Sequence, residues 1–211
     1  MSLYDQTWGR MFAAGYDWFL AGTEEAGLRE IRAGLVAEAS GRTLEIGAGT
    51  GLNLDHYPGG VTDLALTEPF GPMAKHLRER LRDSGREARV IEAPAEDLPF
   101  DDDEFDAAVC TLVLCTVDDP GAALAELRRV MRPGGRLHFC EHVRSADERL
   151  ARWQDRLHRP WHWFGHGCHC NRDTRATIEA AGFEIAELTE GELPKSPPLV
   201  RPLITGVATV P

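Results

Sequence analysis

Short runs of apolar and β-branched residues recur between positions 43 and 209, separated by stretches whose apolar residues return every three or four positions. The short runs, 43–46, 63–66, 89–92, 105–111, 136–140, 183–188 and 204–209, predict seven strands. Among the helical stretches, Leu124, Leu127 and Met131 follow Asp119-Pro120, an N-cap and first-turn pair, and the pattern stops at Pro133-Gly134-Gly135. Another helix is predicted over 174–181, capped by Asn171 or Asp173. The first 40 residues carry no strand pattern, and Leu28, Ile31 and Leu35 would share one helix face. Alternation of strands and helices predicts an α/β domain with a mainly parallel sheet covered on both faces. The last two runs are joined around Pro194-Lys195-Ser196-Pro197-Pro198, too short for a crossover helix, so they should pair antiparallel.

Composition narrows the class. A chain of 211 residues that is 43% apolar and 27% charged suits one globular domain. The net charge of −11, with arginines spread along the chain, speaks against a nucleic-acid partner and for a small substrate. The acidic block Asp101 to Glu104 reads as a solvated turn. No apolar run approaches the roughly 18 residues of a spanning helix, and the first residues have no signal-peptide pattern. No integral membrane segment and a cytoplasmic location are therefore expected. Five cysteines are an odd number, and three of them lie in strand-like runs, which favours buried free thiols over a disulfide framework.

The chemistry begins at Leu44-Glu45-Ile46-Gly47-Ala48-Gly49-Thr50-Gly51, a strand followed by a glycine turn, with Glu68 at the end of the next apolar run. In an open α/β sheet this turn is where a nucleotide-like cofactor meets bare backbone. A dinucleotide fingerprint would place its third glycine three residues beyond the second, which these alternate glycines do not do. The motif resembles the first motif of class I S-adenosylmethionine-dependent methyltransferases. The resemblance implies a Rossmann-like sheet of order 3-2-1-4-5-7-6 with the last strand antiparallel, and S-adenosyl-L-methionine as cofactor. It assigns cofactor contacts to Glu45, Gly47, Ala48, Gly49, Gly51, Asn53, Glu68, Pro69, Ala95, Glu96, Thr111 and Leu112. The turn would carry the methionine part at a helix N-terminus, and Glu68 would offer both carboxylate oxygens to the ribose hydroxyls. Ala95 and Glu96 would address the adenine, although Pro94 stands where many relatives have Asp.

A closer resemblance lies further on, in Cys110-Thr111-Leu112-Val113-Leu114-Cys115, Arg132-Pro133-Gly134-Gly135, Glu141-His142-Val143 and Gly165-His166-Gly167-Cys168. Together these resemble the methyltransferase-like-7 family, whose animal members are membrane-associated alkyl thiol S-methyltransferases. Those proteins begin with a hydrophobic anchor; this chain begins with Tyr4, Trp8, Phe12, Tyr16, Trp18 and Phe19 among polar residues. The expected organisation is one domain, with a helical lid over 1–40, a cofactor-binding core over 41–142, a substrate-side insertion and helix over 143–180 and a C-terminal hairpin over 181–211. Tyr16 is the lid residue expected over the cofactor.

Methyl transfer needs donor and acceptor held in line more than it needs acid or base. His142, just after the fifth strand, is the candidate base for a thiol acceptor, with Glu141 as its orienting partner or a cofactor-side wall. The histidines, cysteines and tryptophans of 153–170 have ligand chemistry, but Cys168-His169-Cys170 is not a usual zinc spacing. The stretch is read as the roof of an aromatic pocket, with no metal assigned. The acceptor could instead be oxygen, nitrogen or carbon, as in a lipid head group or quinone precursor; a non-catalytic cofactor-binding module and an NAD-dependent oxidoreductase are the remaining readings.

Overall fold

The computed structural model describes residues 5–211 of the chain; Tyr4 lies outside the described residues. The seven expected strands are β1 (Gly41–Ile46), β2 (Val61–Thr67), β3 (Arg89–Ile91), β4 (Phe105–Thr111), β5 (Met131–His142), β6 (Glu184–Glu192) and β7 (Pro202–Thr209). They form a single sheet of order β3-β2-β1-β4-β5-β7-β6. Pairing is parallel from β3 to β5, and β7 runs antiparallel to both β5 and β6. This is the Rossmann-like arrangement expected from the alternation of elements.

Side-chain alternation along the strands feeds two cores. In β4, Ala108 and Cys110 join Leu44, Phe139 and Leu124 on one face, while Val109 joins Leu35, Leu66 and Leu77 on the other. The first face is covered by α4 (Pro120–Val130) and α6 (Thr174–Ala180), the second by α2 (Arg29–Val36) and α3 (Gly71–Ser84). Asp119 caps α4 through the N–H groups of Gly121 and Ala122. Of the two candidates for α6 it is Asp173 that caps, accepting from Ala176 N–H.

One expectation at the edge of the core needs correction. No α-helix follows the glycine turn; β1 and β2 are joined by one short helical turn, Leu54–His56. Pro58-Gly59-Gly60 ends the segment before a helix can grow, so the turn does not sit at the helix N-terminus inferred from the motif. Conversely, the aromatic stretch after β5 is largely helical: α5 (Glu148–Phe164) begins at the Asp147 cap and continues through Pro160. Gln154, fully buried in α5, donates to Val143 O and Leu199 O and accepts from Ser145 N, which fixes α5 against the ends of the sheet. Before the sheet, α1 (Arg10–Thr23) lies across the glycine turn. Asp17 accepts from Thr50 Oγ1 at 2.6 Å and pairs with Arg80 at 2.6 Å, while Arg80 also donates to Thr50 O. No helix of the described residues is long and apolar enough to cross a membrane.

Candidate active site

At the C-terminal ends of β1, β2, β4 and β5 lies a cavity of about 880 Å³, roofed by α1 and α5. Of the residues expected from the sequence, Tyr16, Gly47, Gly49, Glu68, Pro69, Ala95, Glu96, Thr111, Leu112 and His142 line it. This size is within the range of cofactor sites and leaves room for a small acceptor.

The three glycines of the turn are glycine for different reasons. All have positive φ, at 56°, 58° and 86°. A Cβ on Gly47 would meet Val113 at 2.7 Å, and one on Gly51 would meet Leu77 at 2.8 Å, so both positions serve packing. A Cβ on Gly49, which lines the cavity, would meet no atom closer than 4.0 Å. Glu68 flanks that part of the cavity. Its Oε2 accepts from Gly49 N at 2.9 Å and its Oε1 from Phe70 N at 2.9 Å. The oxygens are therefore not free, as the motif suggested, but each keeps a second lone pair for a hydroxyl donor. Burial pushes the Glu68 pKa up, against those two N–H bonds.

Asn53 and Gly51, expected as cofactor contacts, lie behind the turn and off the large cavity, and Glu45 and Ala48 border only a small adjoining space. Glu45 accepts from Tyr57 Oη at 2.6 Å and Asn53 Nδ2 at 2.9 Å. Asn53 also donates to Thr111 Oγ1 and accepts from Arg32, which bonds Glu24 at 2.9 Å. Burial raises the Glu45 pKa to about 7, opposed by the bonds from Tyr57 and Asn53. This buried network supports the turn from below, and Arg32 and Glu24 gave no sign of it in the sequence. Tyr16, its hydroxyl pushed up to about 12 by burial, closes the other side.

Glu141 also has a different place from the one expected. Its Oε1 accepts from Val113 N at 2.8 Å and Leu114 N at 3.0 Å, its Oε2 from Cys115 N at 3.3 Å, and Cys110 Sγ lies at 3.4 Å. The carboxylate is spent on the loop after β4, where Leu112 has φ 59°, and it does not line the cavity. Through Oε2 it holds the backbone of Cys115, which does line the cavity.

His142 meets a partner from a distant loop. Its Nε2 lies 3.2 Å from Cys168 Sγ, which also accepts from Trp161 Nε1 at 2.9 Å. Cys115, His142 and Cys168 are all buried, and one ligand atom from each lies within 4.8 Å of the others. Donation from Cys115 lowers the Cys168 pKa against burial, and His142 adds to the effect. Burial opposes the charged form of His142, but Cys168 facing it raises its pKa overall. A second cluster, His158, His162 and His169, lies on and beside α5, with His158 Nε2 2.6 Å from His169 Nδ1.

The roof is aromatic. Trp8 stacks on Trp163 at 5.6 Å and donates from Nε1 to Phe164 O at 3.2 Å. Phe12 stacks on His166 at 5.2 Å, joining α1 to the loop that carries Cys168.

A sheet of this order, with a glycine turn and an acid at its C-terminal edge, is the frame of S-adenosylmethionine-dependent methyltransferases, and the comparisons place the chain among them. Residues 44–139 match the family model described as a methyltransferase domain. Human thiol S-methyltransferase TMT1B is 37% identical over 174 residues, which is 80% of this chain and 69% of that protein. The chain belongs to the family of these thiol S-methyltransferases. Demethylmenaquinone methyltransferase of Clavibacter sepedonicus is 34% identical over 66% of this chain and 54% of that protein. A solved methyltransferase from Thermotoga maritima, titled a possible histamine N-methyltransferase, superimposes with TM-score 0.72 at 24% identity, covering 96% of this chain and 97% of its own. At that identity it speaks for the fold alone.

Proposed function

We propose that this enzyme moves the methyl group of S-adenosylmethionine to the sulfur of a small apolar thiol. The observation that carries the reading is the Cys115–His142–Cys168 cluster, a polar end on an otherwise aromatic-walled cavity. When bound, the cofactor supplies a methyl group on a sulfonium, and the chain holds it as follows. The bare backbone at Gly49 would receive the methionine part, and Glu68 would accept from the ribose hydroxyls with its remaining lone pairs. Ala95 and Glu96 would border the adenine, and Thr111 and Leu112 would support the cofactor from the sheet side. Phe12, Tyr16 and the Trp8–Trp163 stack keep water from the reacting atoms. A thiol reacts as its thiolate, so the acceptor must lose a proton. At the polar end of the cavity, His142 Nε2 and Cys168 Sγ are the pair that could take it. The named activity of human TMT1B supports the same acceptor class.

Carbon methylation of a quinone precursor is the second reading, favoured by the demethylmenaquinone methyltransferase relative. A labelled-methyl assay against an alkyl thiol, an aryl thiol, a phenol, an amine and a demethylated quinol separates the two. Thiols are expected to lead in kcat/KM by about tenfold or more, about 1.4 kcal/mol of transition-state discrimination. Quinol methylation with inert thiols would overturn the proposal.

A further inference from the structure

We infer that Cys115, His142 and Cys168 form a zinc site whose fourth coordination position opens into the cavity and takes the acceptor as a thiolate. The thiolate half rests on the proposed thiol S-methylation; the metal half stands on geometry alone. Two thiols and an imidazole are soft and borderline ligands that suit zinc and exclude magnesium, calcium or manganese as the natural occupant. In a tetrahedral zinc site, metal distances of about 2.3 Å to sulfur and about 2.0 Å to nitrogen put ligand atoms about 3.5–3.8 Å apart. The separation of 3.2 Å between His142 Nε2 and Cys168 Sγ, and the common limit of 4.8 Å for all three, are within a small side-chain adjustment of that figure.

The three ligands come from separate segments that the fold ties together. Cys115 is held by its own N–H on Glu141 Oε2 and by its carbonyl, which accepts from His169 N at 2.7 Å. That second bond links the loop of Cys115 directly to the loop of Cys168. Arg172 braces the same region by donating to Leu114 O and Val117 O. Trp161 Nε1 donates to Cys168 Sγ, the outer contact that orients and tunes a metal thiolate. Structural zinc sites are closed by four protein ligands, whereas catalytic ones keep three and leave a position for substrate. Here all three residues line the cavity in which the methyl donor and acceptor meet.

The step balances without a further reactant. A thiol entering the fourth position loses its proton to solvent, because the cation favours the anion. Its sulfur then forms the new S–CH3 bond as the sulfonium C–S bond breaks, the electron pair staying on the departing sulfur. S-adenosylhomocysteine, a thioether and one proton result. The neutral thioether is a poor zinc ligand and leaves. In this form His142 is a ligand, and the metal replaces it as the agent that makes the thiolate.

Elemental analysis of the full chain, purified with zinc and then freed of loose ions, tests the metal half. Wild type is expected to retain about one equivalent. Cys168→Ser and His142→Ala should lose it, while Cys170→Ser and His158→Ala should keep it. Loss in His158→Ala with retention in Cys168→Ser would move the ion to the histidine cluster and overturn the proposal, as would wild type without stoichiometric metal. Cobalt-loaded wild type avoids any folding defect of the variants. It should show a sulfur-to-metal charge-transfer band that shifts when an alkyl thiol is added; no such band, or no shift, refutes the site or its open position. Zinc bound by an enzyme that methylates only phenols or quinols would sink the acceptor, whereas metal-free protein methylating thiols at full rate would sink the metal.

Discussion

Replacing Glu141 by Gln tests whether a buried anion organises the loop that carries Cys115. Four groups converge on the carboxylate, the N–H groups of Val113, Leu114 and Cys115 and the thiol of Cys110. Every one of them donates. Burial raises the Glu141 pKa, but a neutral acid would bring a proton that finds no acceptor among these four, so the ionised form is the one the loop satisfies. In Glu141→Gln the amide oxygen can keep Val113 and Leu114, while the NH2 group must face Cys115 N–H. The variant loses a charge-assisted bond and leaves two buried donors opposed. Hydrogen bonds to charged groups contribute about 1.5–3 kcal/mol, and we expect a loss near the upper end, about 3 kcal/mol. At about 2–4 °C per kcal/mol for a domain of this size, Tm should fall by about 10 °C. Urea unfolding and thermal melts at pH 7, alongside kcat/KM, measure both consequences. Stability within about 0.5 kcal/mol of wild type would refute the reasoning, because the carboxyl would then be neutral and its charge irrelevant.

Gly49→Ala should fold with about 1 kcal/mol of backbone strain yet lose about tenfold or more in cofactor affinity by calorimetry, since its Cβ would occupy ligand space. Gly47→Ala should chiefly lose stability, by about 1–3 kcal/mol, because its Cβ would strike Val113; the reverse pattern would show that the cofactor does not lie against Gly49. Glu68→Ala should weaken cofactor binding by about 1–3 kcal/mol, and unchanged affinity would move the ribose elsewhere. His138, buried in β5, has its pKa lowered from 6.5 to about 4 by burial and then by Arg136. Because the folded state resists protonation, its contribution is complete above the unfolded value and is lost as pH falls from about 6.5 towards 4. Wild type should lose about 2 kcal/mol between pH 7 and pH 5 that His138→Leu does not; parallel pH profiles would count against it.

The local pattern of the sequence determined the strands, their order through the family resemblance, the Asp119 cap, and the glycine turn with Glu68. These features depend on nearest neighbours: apolar periodicity sets the strands, φ above zero demands glycine, and a cap needs an acceptor two or three residues before its donors. Glu141 shows where that legibility ended. Adjacent to His142 in the chain, it was expected as its partner, but successive strand residues point to opposite sides of the sheet. The carboxylate is taken by the β4 loop, and His142 meets Cys168 from the far end of α5 instead. Likewise Glu45 and Asn53 carry the motif's residue types, yet only Arg32 and Tyr57, brought in by tertiary packing, decide that they brace the turn from behind. The sequence by itself thus determined the cofactor and the frame that holds it. The tertiary structure alone decided the acceptor end, because the meeting of Cys115, His142 and Cys168 depends on how α5 and its following loop fold back over the sheet, which no spacing within one segment encodes.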